Sequence, residues 1–348
     1  MKASYFKYTL NFNQPSGTSR GILTFKETWF LKIEGENNFG IGECSVLRGL
    51  SIDDRFDFEE KLNWVCKNIN LGLNHLLGKL LDFPAIKFGL ETAFLDFRSD
   101  KPFILYQSSF TQGEVSIPIN GLIWMGNKSF MKEQIKTKIK LGFSCIKIKI
   151  GAIDFQTEFN LIKYLRNEYS ANDIEIRVDA NGGFSPKDSL EKLKQLSKLD
   201  IHSIEQPIAP GQYEQMAQLC EKSPIPIALD EELIGINDVT KRLNLLQMIN
   251  PKYIILKPSL IGGIKQSEEW ISVAKKNKLQ WWVTSALESN VGLNAISQWV
   301  FNKSLSMKQG LGTGQLFSNN ILCSLYIKEG CLYYNPDTSW DLAFLKRF

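Results

Sequence analysis

The sequence predicts an α/β protein, a (β/α)8 barrel joined to a smaller α+β capping domain, on three observations. From about residue 115 onward, short apolar strands alternate with amphipathic helices. Roughly the first hundred residues instead show β-rich alternation followed by helical stretches. Polar residues recur at the ends of successive strands, each about one βα unit after the last. Because helices between strands imply parallel pairing, eight such units favour a closed barrel.

The N-terminal part is predicted to be the α+β capping module. Residues 3–12 and 22–34 alternate between polar and apolar or aromatic side chains, which is typical of antiparallel strands. Residues 14–21 are polar and contain glycine and proline, so they are expected to form a loop between these strands. The other predicted elements are a strand at 40–44 and helices at 54–68 and 84–98.

The barrel units occupy the middle of the chain. Eight strands are predicted, at 116–120, 145–150, 174–179, 201–205, 225–231, 253–257, 281–285 and 310–312. Helices are predicted between them, at 128–141, 155–169, 186–199, 212–222, 237–247, 263–277 and 290–302. The remaining C-terminal residues have no barrel unit left to build, so we expect them to return to the capping module. The predicted division is a capping domain at 1–112, a barrel at 113–315 and a returning segment at 316–348.

The composition disfavours several classes of protein. With 348 residues, 43% of them hydrophobic and 22% charged, the chain resembles an ordinary globular protein. Its net charge of +4 is small and no basic block occurs, so nucleic-acid binding has little support. No apolar run approaches a membrane span, and the N-terminus lacks the features of a signal peptide. Six scattered cysteines indicate reduced thiols of a cytoplasmic protein, and two isolated histidines give no zinc spacing. The oligomeric state stays open, a homo-oligomer included.

Polar side chains stand at the ends of six consecutive predicted strands. In Cys-Ile-Lys-Ile-Lys-Ile, strand alternation places both lysines on one face and the isoleucines on the other. The ends of parallel barrel strands converge at the C-terminal mouth, where the active sites of such barrels lie. The sequence therefore predicts one cluster formed by Lys147, Lys149, Asp179, Glu205, Asp230, Lys257 and Ser285.

The residue types in this cluster indicate a particular chemistry. Three carboxylates without histidine or thiolate ligands favour Mg²⁺ or Mn²⁺. Lysines beside a divalent cation and another ammonium group should have a lowered pKa, which allows them to act as bases. The metal can then absorb the negative charge that forms when a proton is removed next to a substrate carboxylate. Taken singly, an acid at a strand end is more often a helix cap or a surface charge than a site residue. We expect a structural role for His202.

With these residues assembled, the chain resembles the enolase superfamily, and within it the muconate-lactonizing branch. The resemblance covers nearly the whole chain and includes the capping domain that accompanies the modified TIM barrel of that superfamily. The motifs that carry it are Lys-x-Lys at 147–149, Asp-Ala-Asn-Gly-Gly from Asp179, Ile-Glu-Gln-Pro around Glu205 and Ala-Leu-Asp-Glu around Asp230.

The resemblance implies a role for each matching residue. Lys149 would be the base, Lys147 would lower its pKa, and Lys257 would lie on the opposite face of the substrate. Asp179, Glu205 and Asp230 would bind Mg²⁺, supported by Asn181 and Glu231. Arg20 would belong to a capping loop that closes over the site. The candidate substrate contacts are Arg20, Ser285, Glu288, Ser289 and Gly312; for Ser285, Glu288 and Ser289 the sequence leaves a structural role equally open.

Two segments bear on the reaction. At the eighth strand the chain reads Gly-Leu-Gly-Thr-Gly at 310–314, without the Asp-x-Asp that dipeptide epimerases of this branch use to hold an ammonium group. This segment and 284–292 resemble a dehydratase subgroup of menaquinone biosynthesis, which removes water from a cyclohexadiene carboxylate. The resemblance therefore implies a Mg²⁺-dependent lyase that acts on a small carboxylate. The alternatives are an N-acylamino-acid racemase or dipeptide epimerase on the same scaffold and, in another class, a catalytically silent binding protein.

Overall fold

The computed structural model describes residues 1–18, 21–303 and 305–348. Its N-terminal sheet has three antiparallel strands: β1 (Lys2–Thr18), β2 (Gly21–Glu34) and β3 (Phe39–Ser45). Much of the loop predicted at 14–21 is strand instead, because β1 continues to Thr18 beyond an irregularity between Asn11 and Ser16. Pro15 lies within this irregularity, where its missing N–H costs no ladder hydrogen bond.

Three helices follow the antiparallel sheet: α1 (Phe58–Lys67), α2 (Leu73–Gly78) and α3 (Pro84–Phe97). The short α2 was not predicted, since six residues are too few to show a helical period. Helix α3 is almost entirely buried and packs directly on β3. The contact depends on glycine, because a Cβ atom at Gly42 would lie 1.8 Å from the backbone oxygen of Gly89.

The first barrel strand lies later than the sequence predicts. Within the predicted strand 116–120, β4 (Ile117–Pro118) belongs to a different sheet, and β5 (Gly121–Ile123) is the first strand of the barrel. The other parallel strands are β6 (Cys145–Lys149), β7 (Glu175–Asp179), β8 (Ile201–Glu205), β9 (Ile227–Leu229), β10 (Tyr253–Leu256) and β11 (Gln280–Val283). The helices between and after them are α4 (Lys128–Lys140), α5 (Phe155–Glu168), α6 (Pro186–Leu196), α7 (Tyr213–Lys222), α8 (Val239–Ile249), α9 (Pro258–Ile261), α10 (Gly263–Lys276) and α11 (Asn290–Phe301).

The eighth barrel unit is a ladder of two residues. Gly310 bridges in parallel to Thr284 beyond the end of β11, and Gln309 bridges in parallel to Ile119 just before β5. These bridges join the two edges of the seven-stranded parallel sheet, so the sheet closes as a modified TIM barrel. Glycine is required at 310, where a Cβ atom would lie 2.4 Å from Thr284 Oγ1.

The C-terminal segment contacts both parts of the molecule. Its hairpin consists of β12 (Leu325–Lys328) and β13 (Cys331–Tyr334), and β13 pairs with β4. Further on, Phe348 and Phe344 pack on the antiparallel sheet, with ring centroids 4.7 Å from Phe6 and 5.2 Å from Phe30. None of the helices in the described part of the chain is long and apolar enough to cross a membrane.

Candidate active site

The predicted polar residues lie at the C-terminal ends of five neighbouring barrel strands. Lys149 is in register with Asp179 across β6 and β7, and Asp179 is in register with Glu205 across β7 and β8. Asp230 and Lys257 directly follow β9 and β10. All five side chains are buried, and Asp179 has no exposed surface. The barrel thus gathers residues that are far apart in the sequence.

Ammonium groups link the three carboxylates. Lys147 Nζ lies 2.7 Å from Glu205 Oε2 and 3.1 Å from Asp179 Oδ2. Lys257 Nζ forms an ion pair with Asp230 and lies 3.6 Å from Glu205 Oε1. Each of these two lysines therefore bridges a pair of carboxylates, and Glu205 is common to both pairs.

Lys149 is held by two oxygen atoms. Its Nζ donates to Asp179 Oδ2 at 2.6 Å and to Asn181 Oδ1 at 2.7 Å. The Asn181 amide in turn donates to Glu231 Oε1 at 2.9 Å. Asn181 has a positive φ of 44°, a backbone conformation that asparagine tolerates better than most residues. Asn181 and Glu231 thus support Lys149 from the side of β7 and β9.

The three lysines differ in the direction of their pKa shifts. Burial lowers the pKa of Lys149, and the neighbouring Lys147 lowers it further, although Asp179 opposes both effects. For Lys147, burial also disfavours the charged form, but Glu205 and Asp179 outweigh it and raise the pKa. Burial likewise opposes the charge of Lys257, whose pKa is nevertheless raised by Asp230 and Glu205. Of the three lysines, only Lys149 thus has a lowered pKa, because a single carboxylate contacts its Nζ, whereas Lys147 and Lys257 each lie near two carboxylates.

The donor set fits a hard divalent cation. As arranged, no group of three or more His, Cys, Asp or Glu side chains at 1–18, 21–303 or 305–348 is placed to hold a metal ion. In this arrangement ammonium groups lie between the carboxylates. The acidic side chains nevertheless offer only oxygen ligands. Glu205 Oε1 is buried and accepts no hydrogen bond from a described residue. The Lys257 ammonium, 3.6 Å from this oxygen, is too far for a hydrogen bond, and a cation would be a closer partner if the ammonium groups moved aside.

A cavity of about 1030 Å³, counted with its open mouth, lies above this cluster. Lys147, Lys149 and Lys257 line it, and Arg48 adds a further cation. None of its lining residues in the described part of the chain is acidic. The other lining residues are largely apolar and include Ile22, Leu23, Leu47, Leu50, Leu122, Trp124 and Leu287. The cavity therefore suits an anionic ligand with an apolar body.

The candidate substrate contacts fall into three groups. Ser285 and Gly312 line the cavity. Glu288 and Ser289 do not: both are fully buried, Glu288 accepts hydrogen bonds from Ser259 and Ser285, and Ser289 bonds to Glu43 of β3. The side chains of Glu288 and Ser289 thus form hydrogen bonds within the protein. Arg20 lies outside the described residues.

Several buried residues around the site were missed from the sequence. Gln206, which is fully buried, accepts hydrogen bonds from the backbone N–H groups of Asp230 and Glu232. It thereby ties the end of β8 to the segment after β9. The only available signal was its place in the Ile-Glu-Gln-Pro motif. Asn120 and Thr313 also line the cavity, but no periodicity distinguishes either from a loop residue.

Comparison with known proteins places the chain in a family. Residues 131–310 match the family described as Enolase C-terminal domain-like, which spans most of the barrel. The chain therefore belongs to the enolase superfamily.

Individual relatives differ in their similarity to this chain. The o-succinylbenzoate synthase of Desulfotalea psychrophila is 43% identical over 95% of this chain and 98% of its own length. The crystal structure of MenC from the same species is 40% identical, with a TM-score of 0.85 over 96% of this chain and 99% of that one. The L-amino acid-D/L-Glu epimerase of Francisella philomiragia is more distant, at 26% identity over 66% of this chain and 64% of its own.

Proposed function

We propose that this chain is an o-succinylbenzoate synthase, a Mg²⁺-dependent lyase of menaquinone biosynthesis. The substrate would be a cyclohexadiene carboxylate that carries a hydroxyl and a succinyl group, and the reaction is the loss of water. The observation that carries the proposal is the 43% identity over almost the full length of a protein of that name. The lysine- and arginine-lined cavity without an acidic lining residue also suits a dicarboxylate substrate.

The reaction begins with proton removal by Lys149. Its lowered pKa favours the neutral amine that a base requires. The amine takes the proton from the carbon next to the ring carboxylate, and the electron pair of that C–H bond moves toward the carboxylate. Lys257, whose pKa is raised, stays positively charged and stabilises the resulting anion. Protonated Lys149 then returns its proton to the hydroxyl as the C–O bond breaks, so that water departs and the ring becomes aromatic.

We further propose that Asp179, Glu205 and Asp230 hold the cation, with Mn²⁺ as a substitute for Mg²⁺. When bound, the cation would supply positive charge for the oxygens of the substrate carboxylate. The buried Glu205 Oε1 without a hydrogen bond supports this assignment, as does the family, whose members generally use Mg²⁺. Asn181 and Glu231 would keep Lys149 and the ligand segment in position through their hydrogen bonds.

The direct test is turnover. Purified protein would be incubated with the hydroxylated cyclohexadiene dicarboxylate, and formation of the aromatic product would be followed by its ultraviolet absorbance with Mg²⁺, with Mn²⁺ and with EDTA. We expect product with either metal and none with EDTA. Absence of product with both metals would refute the proposed function. The catalytically silent binding protein would then be the better interpretation.

A second candidate is racemisation of N-acylamino acids. Lys149 and Lys257 approach the carboxylate cluster from different strands, β6 and the end of β10, and both line the cavity. Two such lysines could exchange a proton on opposite faces of one carbon. Deuterium exchange into N-succinyl amino acids in D₂O, compared with the dehydration rate, would rank the two activities. The eighth-strand segment 310–314 offers no acid for a free ammonium group, so dipeptide epimerisation is the weaker alternative.

We also propose a division into a capping domain at 1–112, a barrel at 113–315 and a C-terminal segment at 316–348. Separate apolar clusters in the antiparallel sheet region and in the barrel support it. All six cysteines are free thiols, which supports a cytoplasmic location.

Size-exclusion chromatography with light scattering would decide between a monomer and a homo-oligomer.

A further inference from the structure

The Ser285 hydroxyl has no hydrogen-bonding capacity left for a substrate. Its Oγ donates to Glu288 Oε2 at 2.7 Å, and it accepts from the Leu287 backbone N–H at 3.0 Å and from Thr313 Oγ1 at 2.8 Å. A serine hydroxyl has one donor and two acceptor positions. All three are thus occupied within the protein, although Ser285 lines the cavity.

Glu288 sets the direction of this chain of hydrogen bonds. The side chain is fully buried, and its other oxygen, Oε1, accepts from Ser259 Oγ at 2.5 Å. Both carboxyl oxygens of Glu288 thus accept a hydrogen bond from a serine hydroxyl, Oε1 from Ser259 and Oε2 from Ser285. The hydroxyl hydrogen of Ser285 must therefore point to Glu288, and the hydroxyl hydrogen of Thr313 must then point to Ser285.

Thr313 Oγ1 consequently uses its donor on Ser285 and keeps its two acceptor positions for another partner. Thr313 lines the cavity and is only 6% exposed. Within residues 1–18, 21–303 and 305–348, no group donates a hydrogen bond to Thr313 Oγ1. A buried acceptor beside a ligand favours a ligand group that can donate, and it disfavours a second acceptor such as a carboxylate or ketone.

We propose that Thr313 Oγ1 accepts a hydrogen bond from the hydroxyl group that the substrate loses, and that Glu288 is the positioning residue that keeps Thr313 in the acceptor orientation. This inference rests on the proposed function. The substrate's hydroxyl is its one donor at neutral pH, since its carboxylates and ketone only accept. When that hydroxyl donates to Thr313, its own oxygen lone pair is free for the proton from Lys149. Thr313 loses and gains no atom in the step: the C–O bond breaks, and the hydroxyl with the Lys149 proton departs as water.

The test compares ligands with and without the hydroxyl in wild-type protein and in Thr313→Val. The substrate has this donor, whereas the aromatic product has lost it but keeps both carboxylates and the ketone. We expect the variant to raise KM for the substrate about fivefold or more, while the inhibition constant of the product stays within about twofold of wild type. The matched control is Thr92→Val, a buried threonine of α3 whose hydroxyl bonds within its own helix. It should change neither constant.

Two further variants test the direction of the chain. Thr313→Ser keeps the hydroxyl and should restore the wild-type KM. In Glu288→Gln, the amide can donate to Ser285 and so reverse the direction of the hydrogen bonds. This single variant should raise the substrate KM. In the double variant with Thr313→Val, it should raise KM little beyond the value of Thr313→Val alone.

The results of these measurements distinguish a failure of the role assigned to Thr313 from a failure of the proposed function. If wild type forms product but Thr313→Val weakens substrate and product equally, or neither, the assignment of Thr313 is overturned while the function stands. Full additivity of the Glu288 and Thr313 effects would overturn the positioning role of Glu288. If wild type forms no product at all, the proposed function fails, and the inference fails with it.

Discussion

Lys149 and Asp179 stand side by side in the register of β6 and β7, with Lys149 Nζ 2.6 Å from Asp179 Oδ2. Both side chains are buried. A buried ammonium group is tolerated only with such a partner, and burial still lowers the pKa of Lys149. Burial therefore shifts Lys149 toward the neutral form that a base requires, while the Asp179 carboxylate opposes this shift and holds Nζ in place.

Replacing Lys149 should abolish turnover without unfolding the protein. In Lys149→Ala no group remains at this position to take or return a proton, so we expect kcat to fall by at least about a thousandfold. The measurement is product formation, with circular dichroism as the check on folding. Lys187→Ala, an exposed residue of α6, is the matched control and should keep wild-type activity. Near-normal turnover in Lys149→Ala would show that the base lies elsewhere.

Removing one acidic ligand should weaken the metal site specifically. Asp230→Asn deletes a charge from the cluster, and we expect Mg²⁺ affinity measured by titration calorimetry to fall more than about tenfold. Activity should return in part at high Mg²⁺ concentration. Asp337→Asn, at an exposed position near the C-terminus, serves as the control and should bind Mg²⁺ as wild type does. Unchanged affinity in Asp230→Asn would remove Asp230 from the ligand set.

Much of the barrel could be predicted because its pattern is local. The strands are short apolar runs, and α5 and α10 are amphipathic helices with a 3.6-residue period, so both helices begin where predicted and end within one residue of the prediction. The prediction for the first barrel strand was wrong because residues 116–120 and β5 are adjacent apolar stretches. Only pairing with β13, more than two hundred residues later in the chain, assigns 117–118 to another sheet.

The cluster of Lys149, Asp179 and Glu205 could be predicted for the same reason, since strand ends coincide in a barrel. The residues whose hydrogen bonds support this cluster could not be predicted from the sequence. Glu288 looked like a candidate substrate contact, yet its oxygens are taken by Ser259 and Ser285, and Ser259 lies on a different βα unit. Such partners depend on side-chain directions after closure of the barrel, which spacing along the chain does not encode.

Glu43 should be important for docking the antiparallel sheet on the barrel. This fully buried carboxylate of β3 accepts from the N–H groups of Ser289 and Gly292 at the start of α11, each at 2.8 Å, and from Ser289 Oγ at 2.5 Å. Glu43→Ala would leave these donors buried without partners, so we expect a loss of about 3 kcal/mol in the free energy of unfolding. Urea denaturation measures it, with the exposed Glu36→Ala as control. A loss no larger than the control's would exclude this role.

Stability should decrease as the pH rises from about 4 to 7. Burial raises the pKa of Asp53 to about 7, that of Glu91 to about 7 and that of Asp96 to about 6. In the unfolded chain such carboxyl groups titrate near pH 4. Between these values the folded protein binds more protons than the unfolded one, so the free energy of unfolding falls with increasing pH through this window. Below about pH 4 these three groups are protonated in both states and add no further slope.

Asp53 allows this pH dependence to be assigned to one group. Its Oδ2 accepts the Ala85 N–H at 2.8 Å near the start of α3, and Asp53→Asn keeps an acceptor there but cannot ionise. We expect the slope of unfolding free energy against pH, measured by urea denaturation at half-unit steps from pH 4 to 8, to become shallower by up to about one proton, or roughly 1.4 kcal/mol per pH unit. Asp337→Asn should leave the slope unchanged. An identical slope in wild type and Asp53→Asn would mean that Asp53 is already ionised in the folded protein at low pH, and that its hydrogen bond to Ala85 outweighs the cost of burial.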